Sequence, residues 1–282
     1  QGLQSRAEQH VVAVADAETL RAWRQLIIPY DPDTQSLRLM HTRVHKPDGR
    51  VLLVREESET EVAPSFGQYF SGHERRVVLP GLALGDWLDV AWRLDDIRPD
   101  ALSGHLALIR FTQGALPKER QRLLLETSPT LAPKLRAPKS ARAMPETTND
   151  AGYVVREWQS ENVPALTLEP NAPPLSERSD FLHATSFSSA KALGDWYARL
   201  VAPAQKAGGE LSALARSLTA KSASDTERLR ALFDFVKEKV RYVGLEFGVH
   251  GYLPYAADDV LARRFGDCKD KATLFIAMAR VV

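Results

Sequence analysis

The spacing of apolar positions changes part-way along the 282-residue chain. In the first part, short runs rich in β-formers recur between turn residues, and the run Asp86–Leu94 alternates apolar with polar side chains. Such period-two runs predict strands of a twisted antiparallel sheet or sandwich. Further on, apolar residues recur every three or four positions, which predicts helices. The pattern predicts an α+β fold with a β-rich domain at 1–175 and a helical domain at 176–282.

Several elements of the β-rich part follow from local signals. The turn residues Lys46–Gly49 predict a hairpin between strands at 36–45 and 51–54. The run 21–30 is also rich in β-formers and is interpreted as a strand, whereas the proline-containing stretch 128–150 is interpreted as a long surface connection. Three tryptophans are expected to fill the core between the sheets rather than bind a ligand: Trp87, Trp92 and Trp158.

The best-defined predicted helix starts after Ser224, which has capping-box spacing to Glu227. Its apolar residues recur at helical intervals: Leu229, Leu232, Phe233, Val236 and Val240. We expect Phe233 and Val236 to be buried in one cluster with Phe275 of a later helix.

The only cysteine of the chain, Cys268, lies where a loop is predicted to become a helix. Gly266 relaxes the backbone, Asp267 is a suitable N-cap, and the following apolar residues form one helical stripe: Ala272, Phe275, Ala279 and Val282. A helix N-terminus stabilises a thiolate, and the neighbouring lysines at 269 and 271 add positive charge. Cys268 is therefore a candidate nucleophile, the alternative being a buried, small hydrophobic residue that happens to begin a helix.

The residues around Cys268 resemble the bacterial transglutaminase-like family, a branch of the papain-like thiol enzymes. Three features carry the resemblance: the sequence VRYVG at 240–244, Pro254 followed by a short helix, and the heptad GDCKDKA at 266–272. The upstream part is similar to a β-rich domain of unknown function that precedes such cores in many bacterial proteins. This looser resemblance rests on VLPG at 78–81 with Gly85 and Asp86, and on TSF at 185–187 ahead of Trp196 and Tyr197.

The resemblance also implies what this sequence lacks. In the family, a His and then an Asp follow the catalytic Cys along the chain, whereas here the chain ends at Val282. Gln1 is not an initiator methionine. We therefore expect this chain to be a fragment cut at both ends, which contains only the first half of the core. The fragment alone is expected to be nearly inactive.

Further site residues follow from the same resemblance. Tyr242 matches the position of a polar aromatic residue that such folds bring towards the active site, and it is a candidate second oxyanion donor beside the backbone N–H of Cys268. The alternative for Tyr242 is a core tyrosine with a satisfied hydroxyl group. His250 precedes the cysteine, against the family's order, and is expected to line or brace the cleft with Tyr252 and Tyr255. Asp267 completes the predicted cleft-lining set.

Composition narrows the choice of partners. The net charge of +1 gives no reason to expect nucleic acid, and no apolar run approaches the ~18 residues of a membrane-spanning helix. One cysteine and scattered histidines offer no metal-ligand spacing, and no cofactor-binding motif is present. A single cysteine also excludes internal disulfides without deciding the compartment; the resemblance favours the periplasm or cell envelope, and the cytoplasm stays open.

Two function hypotheses remain. The first is a thiol acyl-transfer enzyme that acts on protein or peptide amides, by hydrolysis or by crosslinking. The second is a binding module, in which the β-rich domain recognises a partner and the core no longer catalyses.

Overall fold

A computed structural model of the chain describes residues 2–54, 57–61, 73–79, 81–167, 169–244 and 248–282. The strands are β1 (Ser5–Ala13), β2 (Gln25–Tyr30), β3 (Gln35–His45), β4 (Val51–Leu53), β5 (Glu57–Glu61), β6 (His73–Val78), β7 (Trp87–Asp96), β8 (Ala107–Phe111), β9 (Lys118–Thr127), β10 (Lys134–Arg136), β11 (Arg142–Ala143), β12 (Thr147–Thr148), β13 (Val154–Val163), β14 (Phe181–Thr185), β15 (Arg241–Tyr242) and β16 (Phe265–Gly266). The α-helices are α1 (Ala17–Trp23), α2 (Leu175–Arg178), α3 (Ala190–Val201), α4 (Gly209–Thr219), α5 (Asp225–Lys239), α6 (Ala257–Arg263) and α7 (Cys268–Val281). A 3₁₀ turn spans Gly248–Gly251.

These elements confirm the predicted α+β fold class, with antiparallel strands in the first part of the chain and mainly helices in the last. The chain divides into two compact units. The first consists of residues 1–26, 38–56 and 78–193, and the second of residues 27–37, 57–77 and 194–282. The domain boundary that we placed at residue 175 stays a prediction.

The pairing of β1 with β7 in the first unit illustrates how sequence periodicity builds a sheet. Strand β7 lies between β1 and β3 in a sheet of order β1-β7-β3-β4, and β1 pairs with β7 over its whole length. Its even-numbered apolar residues are buried on one face: Leu88, Val90, Trp92 and Leu94. The predicted hairpin is confirmed, since β3 and β4 are antiparallel and Gly49 has a φ of +86°, a value that favours glycine.

Two further sheets of the first unit are also antiparallel. Strand β13 pairs with β9 over most of its length and with the two short strands β11 and β12. Strand β14 lies between β10 and β8, and a further three-stranded sheet has the order β2-β6-β5.

Three predictions in the β-rich part need correction. The run 21–30 begins in helix α1, because Asp16 caps that helix by accepting a hydrogen bond from the N–H of Thr19, and only Gln25–Tyr30 is a strand. The stretch 128–150 is a mostly exposed connection between β9 and β13, as predicted, but it also contains the short strands β10, β11 and β12. Trp87 is 49% exposed, because it lies on the face of β7 opposite Leu88, whereas Trp92 and Trp158 are buried as predicted.

Helices α4 to α7 of the second unit form one apolar core. It contains Leu211 and Ala215 of α4, Leu232 and Val236 of α5 with Val240 just after it, Ala257, Val260 and Leu261 of α6, and Leu274, Ala277 and Met278 of α7. The prediction of α5 is confirmed, and the Ser224 hydroxyl caps it by accepting from the N–H of Glu227.

The predicted core faces of α5 and α7 need correction. Phe233 is 50% exposed and Leu229 is also exposed, although the Phe233 ring still meets Phe275 edge-on with ring centroids 6.4 Å apart. On α7 the buried side chains are Asp270, Thr273, Leu274, Ala277 and Met278, not the predicted stripe. The most buried face of α7 is thus not the predicted one, although Phe275, Ala279 and Val282 still pack against the same core while partly buried.

Candidate active site

Helix α7 begins at Cys268, as the sequence predicts, and the cysteine is exposed. Asp267 is the N-cap: its carboxylate accepts hydrogen bonds from the N–H groups of Lys269 (3.1 Å) and Asp270 (3.3 Å). The Asp270 carboxylate accepts in return from the N–H of Asp267 at 3.2 Å, which completes a capping box. This reciprocal pair fixes the backbone on both sides of the thiol.

The cap leaves one donor of the first turn unused. Asp267 takes the N–H groups of Lys269 and Asp270 with its side chain and that of Lys271 with its carbonyl. The first N–H groups of a helix have no intrahelical acceptor. Within the part of the chain that the structure describes, the N–H of Cys268 is therefore the first-turn donor that neither the cap nor the helix uses.

A short parallel strand pair brings Tyr242 next to the cysteine loop. Strand β15 pairs with β16, Tyr242 lies opposite Gly266, and the N–H of Val243 donates to the Gly266 carbonyl at 3.0 Å. Tyr242 is 58% exposed, so its ring lies at the surface rather than in the core. The alternative of a core tyrosine is wrong, and a role as oxyanion donor stays a prediction.

Gly266 is required by close packing rather than by its backbone angles. A Cβ atom at this position would lie 2.6 Å from Cβ and 2.9 Å from Oδ2 of Asp270. Such contacts are shorter than real Cβ atoms tolerate, so any side chain here would push the cysteine loop away from α7.

Asp270 is the centre of the hydrogen-bond network beneath the cysteine. Its side chain is fully buried, yet its two oxygens accept from three groups. Besides the N–H of Asp267, these are the N–H of Tyr255 at 2.9 Å and the guanidinium of Arg263 at 3.0 Å. A buried carboxylate is tolerated only when it is paired and hydrogen-bonded in this way.

The two lysines beside the thiol are engaged by other groups. The Lys269 ammonium pairs with the buried carboxylate of Asp267, and the Lys271 ammonium donates to the Val240 carbonyl at 2.7 Å. Lys271 therefore ties the start of α7 to the end of α5. The positive charge of Lys269 is balanced by a carboxylate, so the cation field expected from the sequence is weaker than the count of lysines suggests.

His250 and Tyr252 lie in the segment that leads to Tyr255. The His250 ring stacks on Tyr255, with centroids 3.7 Å apart and planes 10° from parallel, and its Nδ1–H donates to the Leu253 carbonyl at 2.9 Å. The Tyr252 carbonyl accepts from the Tyr197 hydroxyl at 2.9 Å. These contacts brace the segment, and the cleft-lining role of both residues stays a prediction.

Asp267 differs in position from the other predicted cleft-lining residues. It is fully buried, with no exposed surface, so it supports the cysteine from beneath as a helix cap. The sequence analysis grouped Tyr255 with His250 but did not predict the contacts of Tyr255 and Arg263 with Asp270. Their contacts to Asp270 join a short helix, a loop and α7, and no spacing rule in the sequence reports such contacts.

Comparison with known proteins gives the chain its family. A family model described as "Domain of Unknown Function with solved-structure structure (DUF3857)" matches residues 1–167, more than half of the chain. The chain belongs to the DUF3857 family. After the DUF3857 domain, the model of the transglutaminase-like superfamily matches residues 212–282, which include Cys268. The resemblance seen in the sequence is thereby confirmed: a DUF3857 domain precedes a transglutaminase-like core segment.

One solved structure shows the same fold. It is the crystal structure of a protein from Parabacteroides distasonis described as a candidate protease. The TM-score is 0.80 with 21% sequence identity, and the match covers 99% of this chain and 55% of that protein. The DUF3857 chain thus spans about half the length of its structural relative. No curated protein matches the chain.

The described residues also bear on two other types of site. None of their helices is long and apolar enough to cross a membrane. No group of three or more His, Cys, Asp or Glu side chains among them is placed to hold a metal ion.

Proposed function

We propose that the chain forms part of a transglutaminase-like cysteine enzyme that acts on protein or peptide amides, with Cys268 as the nucleophile. The observation that carries this proposal is the exposed thiol at the first residue of α7, held by a complete capping box. The superfamily match over residues 212–282 supports the same reaction class.

The proposed reaction is acyl transfer through a thioester. The Cys268 thiolate attacks the carbonyl carbon of an amide, and the carbonyl oxygen becomes an oxyanion. The C–N bond then breaks, the amine leaves with a proton from the general acid, and the acyl group stays on sulfur. Water or a second amine finally attacks the thioester and releases the thiol, which gives hydrolysis or crosslinking respectively.

The residues of this chain would supply the nucleophile and part of the oxyanion site. The N–H of Cys268 is not used by the cap, and Tyr242 is paired with Gly266, two residues before the cysteine, in the β15–β16 pair. An oxyanion donor contributes about 3 kcal/mol to transition-state stabilisation. In the family's pattern a His and then an Asp follow the cysteine. We assign the role of general base to that His and the role of orienting the His to that Asp.

The thiol mechanism can be tested first in the chain itself, because its single cysteine makes every alkylation event a report on Cys268. We expect iodoacetamide at neutral pH to react faster with the folded chain than with the same chain in urea. Equal rates would contradict the activation of Cys268 by its helix.

The reaction itself needs a protein extended to the length of the structural relative. We expect that protein to hydrolyse peptides or to incorporate a fluorescent amine into a protein acceptor, and Cys268→Ala to abolish both reactions while leaving the fold intact. Turnover unchanged by Cys268→Ala would exclude the thiol mechanism. Partner binding without any turnover would favour a binding module instead.

A further inference from the structure

We propose that Arg263 is the positioning residue of the Cys268 site: it holds the buried Asp270 carboxylate in the place where that carboxylate fixes the cysteine-bearing turn. This inference rests on the proposed function of Cys268 and adds a residue to it. Arg263 ends helix α6, five positions before the cysteine, and does not itself belong to the helix that carries the thiol.

The guanidinium of Arg263 makes three contacts at once. Its Nη2 donates to Asp270 Oδ2 at 3.0 Å, its Nε donates to the Phe265 carbonyl at 2.9 Å, and its carbon Cζ lies 4.0 Å from the centre of the Tyr255 ring. Phe265 belongs to β16, the strand that leads directly into Asp267 and Cys268. One side chain therefore joins α6, the strand before the thiol and the first turn of α7.

The Tyr255 ring connects Arg263 to His250. His250 stacks on it at 3.7 Å, and because two planar groups this close cannot share one face of a ring, His250 and Arg263 lie on opposite faces. The backbone N–H of the same tyrosine donates to the other oxygen of Asp270. The order His250, Tyr255, Arg263, Asp270 is thus a continuous chain of contacts that ends beneath Cys268.

Charge explains why an arginine is needed. Asp267 and Asp270 are both fully buried in the first turn of α7. Lys269 balances Asp267, and Arg263 balances Asp270. Without Arg263, one buried carboxylate would lose its counter-charge, which is far costlier than losing an exposed pair. A lysine could keep the charge, but a single ammonium cannot make two directed hydrogen bonds and lie flat on Tyr255 together.

The test compares Arg263→Met, Arg263→Lys and the control Arg264→Met in the complete chain. Arg264 is the neighbouring residue, and its guanidinium lies over the Phe235 ring, 5.1 Å from the centroid, rather than on Asp270. The first readout is the rate of Cys268 alkylation by iodoacetamide in the folded state. Because the thiol is already exposed, this rate reports the state and orientation of the thiol rather than access to it.

The second readout is amide hydrogen exchange at Asp267 and Tyr255, whose N–H groups donate to Asp270. The amide of Ala277, in the buried part of α7, is the internal reference for the stability of the whole helix. A merely structural role of Arg263 would accelerate exchange at all three amides together. A positioning role accelerates it at Asp267 and Tyr255 first.

We expect Arg263→Met to slow alkylation about tenfold and to speed exchange at Asp267 and Tyr255 by at least as much, with Ala277 little changed. Arg263→Lys should fall between wild type and Arg263→Met, and Arg264→Met should match wild type. Wild-type values for Arg263→Met in both readouts, or equal values for the Lys and Met variants, would overturn the proposal.

The proposed function can fail separately. If wild-type Cys268 reacts no faster folded than unfolded, the activation of the thiol is contradicted. The exchange readout still decides whether Arg263 positions the turn, because it does not depend on the reactivity of sulfur.

Discussion

At the scale of single residues, burial rather than apolar character decides how much a side chain contributes to the free energy of unfolding. Leu232 and Phe233 are neighbours on α5, and both fit the apolar spacing that predicts the helix. Leu232 has no exposed surface, whereas half of Phe233 is exposed. The two positions therefore form a matched pair for measuring how burial changes a side chain's contribution to stability, which the sequence pattern alone does not predict.

We expect Leu232→Ala to cost about 3 kcal/mol of unfolding free energy, as large-to-small changes in a core do. Phe233→Ala removes a half-exposed ring and its edge contact with Phe275, and should cost about 1.5 kcal/mol. Urea denaturation of the two variants checks this difference. A larger loss for Phe233→Ala would mean that the ring is buried in solution.

Helix α7 presents the same difficulty as α5. The sequence predicted that α7 is a helix better than it predicted which face of α7 is buried. Apolar residues occur on two sides of that helix, with Phe275 on one and Leu274 and Met278 on the other. Either set fits the helical period, and the choice depends on how the core of α4, α5 and α6 meets the helix. Trp87 presents the same problem in a strand, because its face depends on which side of β7 is covered.

At the scale of elements, the start of α7 was the most predictable part of the site. The Asp-Cys-Lys-Asp sequence carries its own capping box, so local hydrogen bonds determine the helix boundary. The Asp16 cap of α1 is an equally local signal that was overlooked. By contrast, the Arg263 and Tyr255 contacts to Asp270 span 7 and 15 residues, respectively, and depend on the tertiary fold.

The caps of α5 and α7 should differ in their contribution to stability. Ser224 caps α5 at an exposed position, so Ser224→Ala should cost about 1 kcal/mol. Asp267→Ala removes a buried cap and also leaves the Lys269 side chain, which is 14% exposed, without its partner carboxylate, so we expect about 3 kcal/mol. Urea midpoints of the two variants measure the difference. Equal losses would show that the buried ion pair adds nothing to the cap.

At the scale of the whole molecule, the carboxyl groups of the first unit link stability to pH. A hydrogen bond from His10 lowers the pKa of Glu8, and one from Ser5 lowers that of Asp95. Hydrogen bonds from Arg122 and then Gln159 lower the pKa of Glu157 to about 2. These groups lie on the three strands β1, β7 and β13, so protonation weakens more than one sheet.

The direction of the pH dependence follows from these shifts. A carboxyl group whose pKa is lower in the folded state binds fewer protons there than in the unfolded chain. Its contribution is fully present above the unfolded value, 4.5 for Glu157, and disappears as the pH falls towards about 2. We therefore expect the urea midpoint of the first unit to be steady near neutral pH and to fall between about pH 5 and pH 2.

The variant Glu157→Gln isolates the contribution of one carboxyl group to the pH dependence of the urea midpoint. The variant keeps the shape of the side chain but loses its charge, so the midpoint should drop slightly at pH 7 and match wild type near pH 2. The effect should be small and should shrink in high salt, because the Arg122–Glu157 pair lies at the protein surface. A wild-type slope retained in full by the variant would show that the Arg122 pair does not contribute to acid sensitivity, and that the dependence comes from Glu8, Asp95 and the other carboxyl groups of the unit.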